Sequence, residues 1–140
     1  MIVRLRPEQI SVQWDFIRYG LIDSLTPMCT PDADSLRQIL GELISEKMQC
    51  WCATNEDEDV TDKKAVAYLI TSIQVESHTQ VKTLFIYSLF SYGEFNTEHR
   101  EKLFDCIHRF AKWNECKMIS AITSDNAVAN IAKKFDFNTK

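Results

Sequence analysis

The residues with the clearest chemical potential lie in one stretch, 81–113: an apolar strand (81–90), a polar turn (91–97) and an amphipathic helix that ends near Asn114. The first backbone N–H groups of a helix lack intrahelical partners and point outward. A strand that feeds a turn and a helix start is therefore a common way to hold an anionic group. From Ser91 to Arg100 the chain reads Ser-Tyr-Gly-Glu-Phe-Asn-Thr-Glu-His-Arg, with one glycine and two glutamates. A lone glycine gives little room for close backbone approach, and the carboxylates repel anions. This is a poor cradle for phosphate.

Other groups invite the same question. Cys50 and Cys52 lie two apart on an expected strand, so their side chains share a face. Such a pair can serve metal or redox chemistry, or can be two small apolar residues of a core. The core reading is preferred, because no second ligand pair at zinc spacing follows, and no metal site is expected. Cys106 and His108 point in different directions on the later helix and do not complete one. The five cysteines are odd in number and irregularly spaced, with no secretory signal, which predicts reduced thiols. His78 falls in an expected hairpin turn and His99 in an exposed first helical turn, both places for solvated side chains. Trp14, Trp51 and Trp113 are scattered over separate elements, which predicts core or near-core packing and not a stacking platform.

The chain has 140 residues, 45% of them hydrophobic, which suits one domain with a real core. Charged residues make up 26%, the net charge is −4 and no basic block occurs, so nucleic-acid binding has little support. The longest apolar run, 83–90, is far too short to cross a bilayer. The expectation is a soluble cytoplasmic protein with neither nucleic acid nor membrane as partner.

The elements that must position these residues follow from spacing. Residues 2–5 form a short strand. Pro7 suits a helix start, and Ile10, Trp14, Ile17, Leu21 and Leu25 recur at helical spacing. Thr26 and Pro27 end that helix, and 27–31 reads as a loop. A second helix is expected from Ser35, which with Gln38 looks like a capping box, and Leu36, Leu40, Leu43 and Ile44 give its apolar face. Residues 49–54 read as a strand, 55–64 as a solvated acidic connection, and 65–75 with 81–90 as a hairpin pair around the glycine-free turn 77–80. On the following helix Leu103, Ile107 and Phe110 form the stripe, with Phe104 and Trp113 at its margin. Residues 117–122 give another strand, and 127–135 a last helix capped by Ser124. The order β-α-α-β-β-β-α-β-α predicts a mixed α/β (α+β type) sheet: an antiparallel meander, then a β-α-β crossover that pairs two strands in parallel.

This order, with two helices after the first strand, resembles the GNAT (GCN5-related N-acetyltransferase) fold over the whole chain. The segment IYSLFSYGEFNTEHREKLFDCIHRFAKWNECKMISAIT looks like the family's strand 4–helix 3–strand 5 core, and SDNAVANIAKKFDF like its last helix and closing Gly-Phe. The first segment is also similar to small GNAT-like proteins encoded by tailed bacteriophages.

The resemblance implies an acetyl-CoA site on a turn of the form (Arg/Gln)-x-x-Gly-x-(Gly/Ala), preceded here by the strand residues Ser88, Leu89 and Phe90. With Leu103 matched to the family's leucine, Phe95 falls at the basic position, Glu98 at the first glycine and Arg100 at the second. All three differ. A glutamate a few Å from a pyrophosphate repels it by about 4 kcal/mol at an effective dielectric near 20, though Arg100 supplies some compensation. The family's general-acid tyrosine falls on Ala132, when Asp136 and Phe137 are matched to Gly-Phe. Glu76, Tyr87 or Ser88 remain as candidate bases. The family's closing strands have room here for only a few residues. Phe90, Tyr92 and Phe95 either pack the start of the helix or form a contact patch.

Two functions follow. The leading expectation is a GNAT-like single domain without acetyltransferase activity and without a cofactor. It would act through a protein partner or self-association, as a phage structural or accessory component in host cytoplasm or virion. The alternative is an acetyl-CoA-dependent N-acetyltransferase acting on a small-molecule or protein amine.

Overall fold

The chain runs β1 (Ile2–Arg4), α1 (Pro7–Leu25), α2 (Ala33–Ile44), β2 (Met48–Ala53), β3 (Ala67–Val75), β4 (Lys82–Ser91), α3 (Thr97–Trp113), β5 (Met118–Ala121) and β6 (Asn138–Thr139). The computed structural model describes residues 2–25, 32–54, 66–92, 96–121 and 138–139. The strands form one mixed six-stranded sheet in sequence order. β1 pairs antiparallel with β2, whereas β4 with β5 and β5 with β6 are parallel. Glu76 N donates to Val81 O at 2.9 Å and Tyr92 N to Val66 O at 2.8 Å, the two ends of an antiparallel β3–β4 hairpin. The α+β sheet with its β4–α3–β5 crossover matches the expected GNAT order, and β6 is the short closing strand. The helix expected at 127–135 lies outside the described residues, with Ser124, Ala132, Asp136 and Phe137.

Two compact units share the chain: Met1–Ile70 with Ser88–Phe95, and Thr71–Tyr87 with Asn96–Lys140. In the first, β2 is buried at all six positions, so MQCWCA shows no period-2 alternation. Its neighbour β1 sets Val3 opposite Cys52, and Leu5 N extends the pairing to Cys50 O at 2.8 Å. α1 buries Ile10, Gln13, Ile17, Gly20 and Leu21, while Trp14 is only half-buried. α2 starts earlier than its expected cap. Asp32, in extended backbone, accepts from Ser35 N at 2.7 Å, so Ser35 lies inside the first turn. The helix therefore buries Leu36, Ile39 and Leu43, leaving Leu40 half-buried and Ile44 exposed.

In the part of β4 that belongs to the second unit, up to Tyr87, buried and half-buried side chains alternate, and Phe85 sits opposite Ser120 of β5. α3 buries Leu103, Phe104, Ile107 and Ala111. Phe104 is thus central, Phe110 is half-buried, and Trp113 is 87% exposed. The reason is phase: nine residues at about 100° each put Trp113 on the side opposite Phe104. Among the described residues, no helix is long and apolar enough to cross a membrane.

Candidate functional site

The first unit holds an open cleft of about 360 Å³ lined by Tyr19, Gly20, Asp23, Phe90, Ser91 and Tyr92. Its construction starts at Gly20. A Cβ there would lie 2.0 Å from Phe90 Cδ2, so only glycine lets the ring rest on the helix backbone. Phe90 stacks on Tyr68 at 5.5 Å between centroids and 30° between planes. Tyr92 stands edge-on to Phe90 at 6.0 Å and to Tyr68 at 6.1 Å. The Tyr92 hydroxyl donates to Phe16 O, and the Tyr68 hydroxyl to the buried amide oxygen of Gln13. These bonds anchor two rings of the aromatic cluster behind the cleft. Burial, and then the Asp23 carboxylate, push the Tyr92 phenol above its ordinary range.

This placement answers several expectations. Phe90 and Tyr92 pack against α1 and β3, a packing that neither of the two readings left open for them described. Phe90, a candidate cofactor contact, has its ring committed to that packing and is 8% exposed. Ser88 is buried on the same face of β4 as Phe90, while Leu89 and Tyr87 are half-buried on the other. Phe95 falls outside the described residues.

In the second unit the start of α3 is capped by Asn96, whose side chain accepts from His99 N at 2.8 Å. His99 is half-buried, not solvated as expected, whereas His78 is exposed. Glu98 faces Lys102 at 3.0 Å, which holds its carboxyl below the ordinary value. Glu98 and Glu101 offset Arg100 and Lys102, so the first turn and a half carries no net charge. The repulsion anticipated from Glu98 is therefore compensated within the helix, and the dipole's positive end can act on an anion. In charge, the residues present fit a pyrophosphate group.

Glu76 does not stand ready as a base. It sits in the β3–β4 turn, where its Oε2 accepts from His78 N at 3.0 Å, Thr79 N at 2.6 Å and Thr79 Oγ1 at 2.8 Å. These bonds lower its pKa, Thr79 most. The carboxylate replaces the missing glycine as the organiser of a turn in which Gln80 takes φ 59°. Cys50 and Cys52 are fully buried; burial raises the first thiol well above its range and the second to about 12. Both pack as core residues. On β5, the Ser120 hydroxyl is buried with no hydrogen-bond partner among the described residues.

The sequence reading missed the cleft. Gly20 was silent because its reason is a ring far along the chain. Asp23 did carry a local signal, an acid in the last turn of a helix without a basic residue.

No protein-family model matches the chain, and no curated protein does. Solved structures do. A crystal structure named "probable acetyltransferase" is 14% identical, with TM-score 0.74 over 100% of this chain and 91% of that one. A "predicted acetyltransferase with acetyl-CoA from Clostridium acetobutylicum" is 13% identical, with TM-score 0.71 over 100% and 90%. An aminoglycoside acetyltransferase from an uncultured soil metagenomic sample, in complex with sisomicin, is 17% identical, with TM-score 0.65 over 97% and 84%. The chain therefore has the GNAT acetyltransferase fold. None of these three is named as a phage protein or a non-catalytic one.

Proposed function

We propose that the protein is an acetyl-CoA-dependent N-acetyltransferase acting on an amine. The observation that carries this reading is the β4–α3–β5 unit. It is a parallel strand pair whose connecting helix opens on a capped, charge-balanced turn, in a fold that follows acetyltransferases along its whole length. When bound, acetyl-CoA supplies an acyl carbon activated as a thioester. The first turn of α3 would hold its pyrophosphate, with Arg100 adding positive charge while Lys102 keeps Glu98 occupied. Transfer forms one C–N bond, breaks one C–S bond and moves one proton from nitrogen to sulfur. Tyr87 and Ser88, on opposite faces of β4, are the candidate proton-handling groups that remain once the turn withdraws Glu76.

A second reading, a non-catalytic fold that works through a protein partner, is favoured by Phe95, Glu98 and Arg100, none of which matches the family's turn. Calorimetric titration of the full chain with acetyl-CoA separates the two. Saturable binding at micromolar affinity supports the enzyme. No heat up to millimolar acetyl-CoA overturns it in favour of the interaction role.

A further inference from the structure

The cleft of the first unit is unusual in its charge. Asp23 stands in the last turn of α1, where unpaired carbonyls already make the helix end negative and a cation is the stabilising choice. That turn contains no basic residue. The sequence has no Lys, Arg or His between Arg18 and Arg37, nor between Lys82 and His99. Both stretches that line the cleft thus carry acidic charge only. Arg18 lies over the Tyr19 ring at 5.3 Å but is paired with Asp15 at 3.3 Å. Asp23 pairs with no cation among the described residues.

An acid placed where its own helix disfavours it, beside an apolar cleft, is a local rule broken at a place suited to a ligand. We propose that this cleft binds a small organic ammonium ion, a protonated primary amine on an apolar or aromatic body. The ammonium takes the place of the missing cation at Asp23, with the Tyr92 ring adding cation–π attraction, while Arg18 covers one face of Tyr19. The body lies along Tyr92 and the small part of Phe90 that its packing on Gly20 leaves exposed. A volume of about 360 Å³ lies within the usual range for small-ligand pockets. The polar side chains that the described residues bring to the cleft are few. Tyr92 already spends its hydroxyl proton on Phe16 O, which leaves Asp23, Ser91 and the Tyr19 hydroxyl among the described residues. A polyamine or an amino sugar brings more polar groups than these can satisfy, and each unsatisfied one costs free energy. That this amine is the acyl acceptor rests on the acetyltransferase reading; that it binds does not.

The test is calorimetry on the full chain without acetyl-CoA, with 2-phenylethylammonium and its neutral analogue 2-phenylethanol as probes. The ammonium is expected to bind about tenfold tighter than the alcohol, the scale of one charge-assisted hydrogen bond. Asp23→Asn, at an exposed position, abolishes that advantage, and Tyr19→Ala, also exposed, weakens both probes. Equal affinity for the two probes, or an advantage that survives Asp23→Asn, overturns the proposal. So does spermidine binding more tightly than 2-phenylethylammonium. If the amine binds and acetyl-CoA does not, the enzyme reading falls and the cleft stands. If acetyl-CoA binds and the amine does not, the cleft falls and the enzyme reading stands.

Discussion

The end of α1 and the start of α3 treat their charges in opposite ways. At α3 the groups satisfy each other: Asn96 caps His99 N, and Lys102 answers Glu98. At α1 an acid is placed on the negative end of the helix and is answered by no cation among the described residues. The first helix end is neutral and keeps its dipole for an anion. The second is left negative beside aromatic rings. Helix dipoles and side-chain charge together underlie the two proposals, a phosphate-bearing ligand at α3 and an ammonium ion at α1.

The largest expected effect breaks the α1 side. Gly20→Ala drives a methyl into the Phe90 ring and is expected to cost about 2–3 kcal/mol of stability, measured by urea unfolding. A neutral result would mean that the ring does not rest on the helix and that the cleft has another shape. On the α3 side, Asn96→Ala removes the cap and is expected to cost about 1 kcal/mol in the same measurement. The gap between the two values compares a packing contact with a hydrogen bond.

Ser120→Ala works in the other direction. It deletes a buried hydroxyl without a partner among the described residues and is expected to raise stability by about 1 kcal/mol. A loss of stability would reveal a partner for that hydroxyl.

The smallest effect is a pH dependence at Glu76. Its folded-state pKa lies below the ordinary 4.5, so its contribution is fully present above about pH 4.5 and is lost as pH falls through the lower folded value. Melting temperatures of the wild type are expected to fall more steeply than those of Glu76→Gln between about pH 5 and 3. Parallel slopes would mean that the turn does not depend on the carboxylate.

The fold was legible because its elements are local and periodic. The hairpin and the β-α-β crossover follow from spacing that the structure reproduces, and the α3 stripe holds at Leu103 and Ile107 but turns from Phe110 toward Phe104 and Ala111. Errors arose where two local signals competed. Asp32 and Ser35 are both good caps, and only the backbone shows that Asp32 is used. Trp113 looked like core by residue type, yet its helical phase points it outward. At α3 the sequence reading weighed Glu98 against Arg100, and the structure adds Lys102, one turn away, as its partner. The cleft was least legible, since Gly20 and Phe90 are joined by tertiary packing alone and only Asp23 left a trace in sequence.

The division between the two helix ends is tested most directly by one crossed calorimetric set: wild type, Asp23→Asn and Arg100→Ala, each titrated with acetyl-CoA and with 2-phenylethylammonium. The predicted result is that Arg100→Ala weakens acetyl-CoA by about tenfold and leaves the amine unchanged, while Asp23→Asn does the reverse. Both variants weakening the same ligand, or neither weakening either, would contradict it.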